Sequence, residues 1–448
     1  MIRKMSWHLG RSHRGRGLKV ELWVGVLLFA LISTASSQGR EAEDVYDFGG
    51  KPRVKRSYKR DGKLIVDNDF YCSACAKEKR IAHKHRDDMA HILEFDKSFN
   101  PKRSDGTTKG HFGTFRMMEQ EGESMLSFLR TQTKSKKGVF IEDRNFRVYS
   151  DLPSVHTKKK PYRRRLEELE ELNEVFPKVT DKTIVLNSHQ RAHQCLVRVR
   201  RIRREFQALM RYNPKKQPFS YLGPWMGLDQ KYEIYVFAKK KSYFLFLQRF
   251  LGKASKDSDG ITWHNLKDKS MVVALHAEGL SDTDLNNALT HRFAYALITG
   301  YSQYRYDLPA WLALGYAHLM ERRERSDFDT LIFGEGKTPK WNWPSKWKPH
   351  VRRKITSRKV PSLSSYAQKD RVNDLVPNNH PLAWSLVSFL VQHDQKAFSR
   401  LVTTLKTKKD RESTRDLVIR ALKVGYKMSI LQLDARWQDW VKETYPKN

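Results

Sequence analysis

Apolar residues fall into regular strand and helix patterns from about Val139 to the end of the chain. Residues 145–150 alternate apolar and polar side chains, which is typical of a half-buried strand. Pro161 opens a helix with apolar residues at helical spacing, extending to about Phe176. The same criteria predict further strands at 183–186, 232–238 and 271–277, and further helices at 191–211, 242–251, 281–300 and 309–324. The mixture of strands and helices predicts an α+β fold.

The remaining segments complete a five-part organisation. Residues 361–448 have four helical stretches, at 384–391, 398–405, 414–422 and 433–441, and form a predicted helical C-terminal domain. Residues 38–138 are basic and poorly patterned, with one predicted helix at 115–130. Residues 331–360 form a basic, Trp-rich insertion. The predicted parts are therefore a signal peptide at 1–37, a partly ordered lead-in at 38–138, a core at 139–330, the insertion at 331–360 and the helical domain at 361–448.

The large net positive charge indicates which classes of molecule the protein could bind. The 448 residues include 85 Lys and Arg against 50 Asp and Glu, a net charge of +35. Such a field favours anionic polymers, although a basic solvated surface without a dedicated partner has the same composition. The N-terminus has a cationic stretch, an apolar run at 22–32 and small residues at 35–37, which predict a cleaved secretory signal. An uncleaved signal anchor is the alternative, and export in either form argues against a specific nucleic-acid partner.

The segment with most chemical information is His291-Arg292-Phe293-Ala294-Tyr295, followed by Trp311-Leu312-Ala313-Leu314-Gly315. Eighteen residues separate Tyr295 from Leu314. A zinc-peptidase helix has the pattern H-E-x-x-H, in which two histidines one turn apart bind zinc and the glutamate is the general base. Here Arg292 occupies the glutamate position and Tyr295 the second histidine position.

These motifs resemble the gluzincin pattern H-E-x-x-H-x18-E, whose third ligand is a glutamate in a context like W-L-x-E-G-x-A. The chain keeps the spacing and much of that context, but has Leu314 at the glutamate position. The resemblance extends over about residues 140–448, to secreted bacterial proteins of the peptidase-MA-like group. It implies a zincin-like core with a mixed sheet, in which strand 271–277 is an edge strand beside the substrate and the next two helices carry the site.

The substitutions predict a pseudo-peptidase without catalytic residues or a core metal. Catalytic zinc needs three protein ligands and an open position, and only His291 of the three is retained. Arg292 is permanently cationic and cannot act as a base. The resemblance then leaves a binding role, in which strand 271–277 accepts an extended peptide or protein segment by strand addition. The competing role is a basic scaffold on an anionic envelope polymer, with peripheral membrane association.

Two further interpretations of the same residues stay open. An active metallohydrolase with substituted ligands would use His318, one turn beyond Leu314, together with His291 and either His276 or Glu321. Alternatively, the motif residues are ordinary helix positions of an unrelated α+β protein. In that case His291 is a hydrogen-bonded core histidine, and Arg292 is a surface or ion-paired residue.

A second candidate site lies in the lead-in, where Cys72 and Cys75 form a C-x2-C pair followed by His83 and His85. This is half of a structural zinc site with extra donors, and zinc is the one cofactor that the sequence leaves open. A disulfide, or no dedicated function, fits the same residues. Cys195 is predicted to be a buried small side chain.

Two basic segments, at 198–204 and 331–360, are predicted to serve the fold rather than to bind a ligand. Five arginines at positions 198, 200, 201, 203 and 204 crowd one predicted helix. They are predicted to pair with the glutamates at 167, 168, 170 and 171, although such a cluster also attracts anionic surfaces. The tryptophans at 341, 343 and 347 are predicted to pack on the domain rather than to stack a ligand.

Overall fold

The description of the fold covers most of the chain after residue 137. The computed structural model describes residues 58–60, 63–65, 70–72, 74, 138–143, 145–156, 163–213, 225–228, 231–251, 259–265, 270–302, 308–326, 329–330, 346–367, 369 and 375–447. The chain divides into two compact units, Met1–Gly50 and Lys51–Asn448, and all described residues belong to the second. The predicted signal peptide, the helix at 115–130, Cys75, His83 and His85 lie outside the described residues.

The strands form one mixed six-stranded sheet and two small antiparallel pairs. The strands are β1 Tyr58–Arg60, β2 Lys63–Ile65, β3 Phe70–Cys72, β4 Val139–Asp143, β5 Phe146–Ser150, β6 Val155–His156, β7 Val185–Leu186, β8 Tyr232–Phe237, β9 Gly260–Asn265 and β10 Ser270–His276. The main sheet has the order β3-β4-β5-β8-β10-β9, whereas β1 pairs with β2 and β6 with β7. Strands β5, β8 and β10 are parallel, and the remaining neighbours in the main sheet are antiparallel.

The helices surround this sheet and fill the C-terminal half. They are α1 Arg163–Asn173, α2 Ser188–Leu209, α3 Lys240–Leu251, α4 Asp282–Gly300, α5 Ala310–Glu324, α6 Trp347–Thr356, α7 Leu363–Tyr366, α8 His380–His393, α9 Gln395–Leu405, α10 Thr414–Tyr426 and α11 Ile430–Thr444. Ser281 caps α4 by accepting a hydrogen bond from the Asp284 amide. The α+β class is thus confirmed.

Alternating side chains of the central strands form two apolar layers. In β8, Ile234 and Val236 belong to the main core with α2 and α4, whereas Tyr235 and Phe237 pack with α3 on the opposite face. This follows from the two-residue period of a strand. Because both faces are covered, β8 and β10 are buried throughout.

The position of strand 271–277 corrects the sequence prediction. The segment forms β10, which lies inside the sheet: Met271 is paired with Tyr232 of β8 and His264 of β9. Both backbone edges are therefore occupied, and β10 cannot accept a peptide by strand addition. The edge position belongs to β9, a strand that the sequence analysis missed. The unbroken apolar run of β10 was the signal, since an edge strand with one exposed face alternates.

The C-terminal helices pack directly on the core. Helix α8 crosses α5 at Gly315, where a Cβ atom would come within 2.5 Å of the Ala383 carbonyl oxygen. Helix α6 buries Trp347, Val351 and Ile355, so Trp347 packs on the domain as predicted. Trp341 and Trp343 lie outside the described residues. In the part of the chain that is described, no helix is both long and apolar enough to cross a membrane.

Candidate functional site

The candidate site lies between α4 and α5, which carry the two halves of the motif. The ring of His291 on α4 lies 4.5 Å from that of His318 on α5, measured between centroids. The helices are joined by a short connection and run antiparallel. The contact between the helices brings His291 next to His318, whereas Arg292, the next residue on α4, lies against Gly260 of β9.

Three of the four motif positions, His291, Arg292 and Leu314, are buried. His291 and Leu314 are inaccessible to solvent, and Arg292 is 1% exposed. Tyr295 is partly buried and packs on the main core. The interface is therefore a closed, largely apolar contact that contains a few polar groups.

Glu321 is the centre of the polar part. Its Oε2 lies 3.1 Å from Nδ1 of His291 and 3.1 Å from Nδ1 of His318. Its Oε1 accepts a 2.6 Å hydrogen bond from the Thr330 amide. Nε2 of His318 is 2.9 Å from Nδ1 of His380, at the start of α8. Three helices thus contribute to one buried chain of titratable groups.

Burial sets the protonation of this chain. It raises the pKa of Glu321, and it lowers the pKa of His291 and of His318 well below the usual range. Each shift favours the uncharged form, because a charge is poorly solvated there. A protonated carboxyl can donate to one Nδ1 while the other imidazole donates Nδ1–H to the same oxygen. Nε2 of His291 then remains buried without a hydrogen-bond partner.

The same atoms are also arranged as potential metal ligands. One ligand atom from each of His291, His318 and Glu321 lies within 4.8 Å of the others. Around tetrahedral zinc with bonds of about 2.0–2.1 Å, neighbouring ligand atoms lie about 3.3 Å apart. The observed 3.1 Å separations are close to that value. His380 would then hold the outer nitrogen of His318, as supporting residues do in metal sites. His276 is not part of this set; it lies on β10, 3.6 Å from Asp259.

Arg292 faces the sheet rather than solvent. A Cβ atom at Gly260 of β9 would collide with its Nε, so the guanidinium lies directly against this glycine. Nε and Nη1 of Arg292 have no hydrogen-bond partner. Burial lowers the pKa of Arg292, but a guanidinium remains protonated in proteins. The position of the catalytic base in the H-E-x-x-H pattern thus carries a buried positive charge.

The arginines of helix α2 form ion pairs with acidic residues of neighbouring elements. Glu168 of α1 accepts hydrogen bonds from Arg198 and Arg201 of α2, and Arg204 pairs with Glu171. These contacts confirm the predicted pairing with the preceding helix. The sequence analysis missed three further partners, Asp143, Asp282 and Glu324, which come from β4, α4 and α5. Acidic residues that distant in sequence give no local signal.

The structure places Cys72 beside histidines that the sequence analysis did not consider. Cys72 lies at the end of β3, and its Sγ is 3.3 Å from Nε2 of His189 on α2. His193 is part of the same group. Cys195 is buried as predicted, and burial raises the pKa of its thiol to about 11. The i, i+4 spacing of His189 and His193 at the start of the predicted helix 191–211, which begins at Ser188 in the structure, was the available signal.

Comparison with known proteins adds no assignment. No protein-family model matches the sequence. No curated protein matches it with significant similarity either.

Proposed function

We propose that the chain is an exported, non-catalytic binding protein with a gluzincin-like core, in which the former peptidase centre is closed. The observation that supports this most directly is the burial of three of the four motif positions: His291, Arg292 and Leu314 have essentially no contact with solvent. A hydrolase needs a position where water and substrate meet its reactive groups. A filled helix interface provides none.

The side chains at the motif positions support the same conclusion. Leu314 has no lone pair to offer a metal. Arg292 adds a permanent positive charge beside the place where a divalent cation would bind, and like charges repel strongly in a poorly solvated interior. Burial also holds His291 neutral, so it is suited to hydrogen bonding within the core.

The proposed ancestry can be tested by restoring the pattern. The triple substitution Arg292→Glu, Tyr295→His and Leu314→Glu recreates H-E-x-x-H-x18-E. If the helices have gluzincin geometry, the variant gains one equivalent of zinc that wild type lacks, because three ligands then converge. Zinc per chain is measured by elemental analysis after dialysis, with thermal unfolding as the check on folding.

A matched control separates a designed site from loose binding. The double variant Arg292→Glu and Tyr295→His has two of the three ligands and should bind the added zinc at least tenfold more weakly. A folded triple variant with no additional zinc would contradict the gluzincin-like geometry. Zinc-dependent peptide hydrolysis by wild type would contradict the non-catalytic function.

One observation favours a second candidate, a metallohydrolase with substituted ligands. His291, His318 and Glu321 form a group whose ligand atoms lie close enough to share one ion. This candidate requires zinc in wild type that is lost in both His318→Gln and Glu321→Gln. It also requires hydrolytic activity that is lost in the same variants. Zinc without activity would mean a closed structural centre and would leave the binding function intact.

A further inference from the structure

We propose that Cys72, His189 and His193 form a structural zinc site that fixes strand β3 to helix α2. Cys72 lies 117 residues before His189 in the sequence, but one ligand atom from each of Cys72, His189 and His193 lies within 4.8 Å of the others. This site is independent of the His291 centre, with which it shares no residue.

Helix α2 presents the two histidines in the geometry that metal sites use. His189 and His193 are four residues apart, which places them one turn apart on the same helix face. They lie in the first two turns of α2, where Asn187 and Gln190 form a capping box and fix the start of the helix. Their ring centroids are 5.1 Å apart. The helix end that carries them is thus locally well defined.

The distance to the cysteine fits a shared ion. With Zn–S of about 2.3 Å and Zn–N of about 2.0–2.1 Å, tetrahedral zinc holds sulfur and nitrogen about 3.5 Å apart. Sγ of Cys72 is 3.3 Å from Nε2 of His189. A thiol hydrogen bond has a similar length, so the measurement must detect the ion itself.

The surroundings are those of a closed site. Cys72 and His193 are each 2% exposed, and His189 is 8% exposed. The ring of Phe176 packs edge-on against both imidazoles, at 5.0 Å between centroids in each case. Thiolate and neutral imidazole together are the ligands that zinc prefers.

The spacing along the chain is that of structural zinc sites. Cys72 belongs to the C-x2-C pair 72–75, and the histidines form an H-x3-H pair. Both spacings occur in Cys2His2 sites. Cys75 lies outside the described residues, and the proposed site rests on the three residues that are described.

A metal here would have a clear structural role. Strand β3 is only three residues long and forms the outer position of the main sheet, paired with β4. Short edge strands are weakly held by their own hydrogen bonds. A zinc ion bound by both Cys72 and the two histidines of α2 would fix the position of β3 against that helix. Zinc binding would release the proton of the Cys72 thiol.

The test uses the full chain, purified anaerobically and loaded with cobalt(II) or zinc. We expect one metal per chain with a thiolate-to-cobalt charge-transfer band in the near ultraviolet. That band should disappear in Cys72→Ser and weaken at least tenfold in His189→Asn and His193→Asn. The His291 group contains no sulfur, so a metal bound there gives no such band.

A matched variant on the same helix controls for general damage. Cys195→Ser also removes a buried thiol from α2, two residues beyond His193, and should retain the metal and the band. Retention of the band in Cys72→Ser would overturn the proposal, as would failure of the folded, reduced wild type to bind cobalt or zinc. A Cys72–Cys75 disulfide found by mass spectrometry in the anaerobically purified protein would also overturn it.

Discussion

Single residues at the helix interface show what the motif positions contribute to packing. Gly315 belongs to the W-L-x-x-G context, and its role in the structure is to let α8 approach α5. The sequence predicted helices α4 and α5, because 3.6-residue periodicity is a local property. It named His291 and His318 with either His276 or Glu321 as one possible set of ligands. It could not choose between the last two, and the structure places Glu321 in the group, because that contact depends on how two helices pack.

Replacing Gly315 by alanine should therefore lower the stability of the protein, which is the opposite of the usual effect inside a helix. Inside a helix, alanine is normally more favourable than glycine by about 1 kcal/mol. At Gly315 the new methyl group would meet the Ala383 carbonyl oxygen and Val387. We expect Gly315→Ala to destabilise the protein by about 1–3 kcal/mol, as overpacking does. Urea unfolding followed by circular dichroism measures the change.

Gly300 provides the comparison for this experiment. It ends α4, and the nearest atoms to a Cβ there belong to the flexible side chain of Met271, at 3.1–3.3 Å. Gly300→Ala should change stability by less than 1 kcal/mol, because a methionine can move aside. If the two substitutions destabilise the protein equally, Gly315 is not needed for the close packing of α8 on α5.

At the scale of elements, the sequence predicted individual strands and helices better than their neighbours. Segment 271–277 is a strand as predicted, but its place inside the sheet depends on β9. The apolar–polar alternation of β9 is short, because only Ile261 and Trp263 are large apolar residues. Pairing partners are non-local, so a strand that is missed displaces its neighbour in the predicted sheet.

Helices α1, α2 and α4 are joined by buried ion pairs, and this predicts a pH dependence. Arg198 and Arg201 hold the pKa of Glu168 at about 2 against its ordinary value of 4.5, despite the opposing effect of burial. A lowered folded-state pKa means that the stabilisation is complete above about pH 4.5 and declines as the pH falls toward 2. Unfolding free energy measured between pH 7 and pH 3 should show this decline.

Removal of the negative charge of Glu168 should remove the part of the stability that declines in acid. Glu168→Gln leaves buried arginines without their partner, so we expect a loss of about 3–5 kcal/mol at pH 7 and a weaker decline with acid. Glu171→Gln, on the same helix, breaks a pair whose side chains are about one-third exposed. It should cost less than about 1 kcal/mol. An unchanged pH profile in Glu168→Gln would show that other carboxylates control acid stability.

For the whole molecule, pairing inside the core does not change the net charge of +35. An anionic polymer bound through this charge releases counterions, so its affinity falls as salt rises. We expect dextran sulfate to bind at low salt and to be released near 0.5 M salt, with neutral dextran as the control. No binding at low salt would contradict the anionic-polymer role. Salt-resistant capture of a defined peptide would instead favour a peptide-binding surface.

The Glu168 group also has a consequence for the folding route. Arg201 forms ion pairs with both Glu168 and Glu324, and Glu324 lies 123 residues beyond Arg201 in the chain. Isolated burial of any of these charges is costly, so the four helices α1, α2, α4 and α5 gain stability only when they dock together. Contacts of such sequence separation form late, because loop closure precedes them. The rate-limiting step of folding is therefore expected to be a concerted assembly of these helices, slowed by the same charges that fix the finished core.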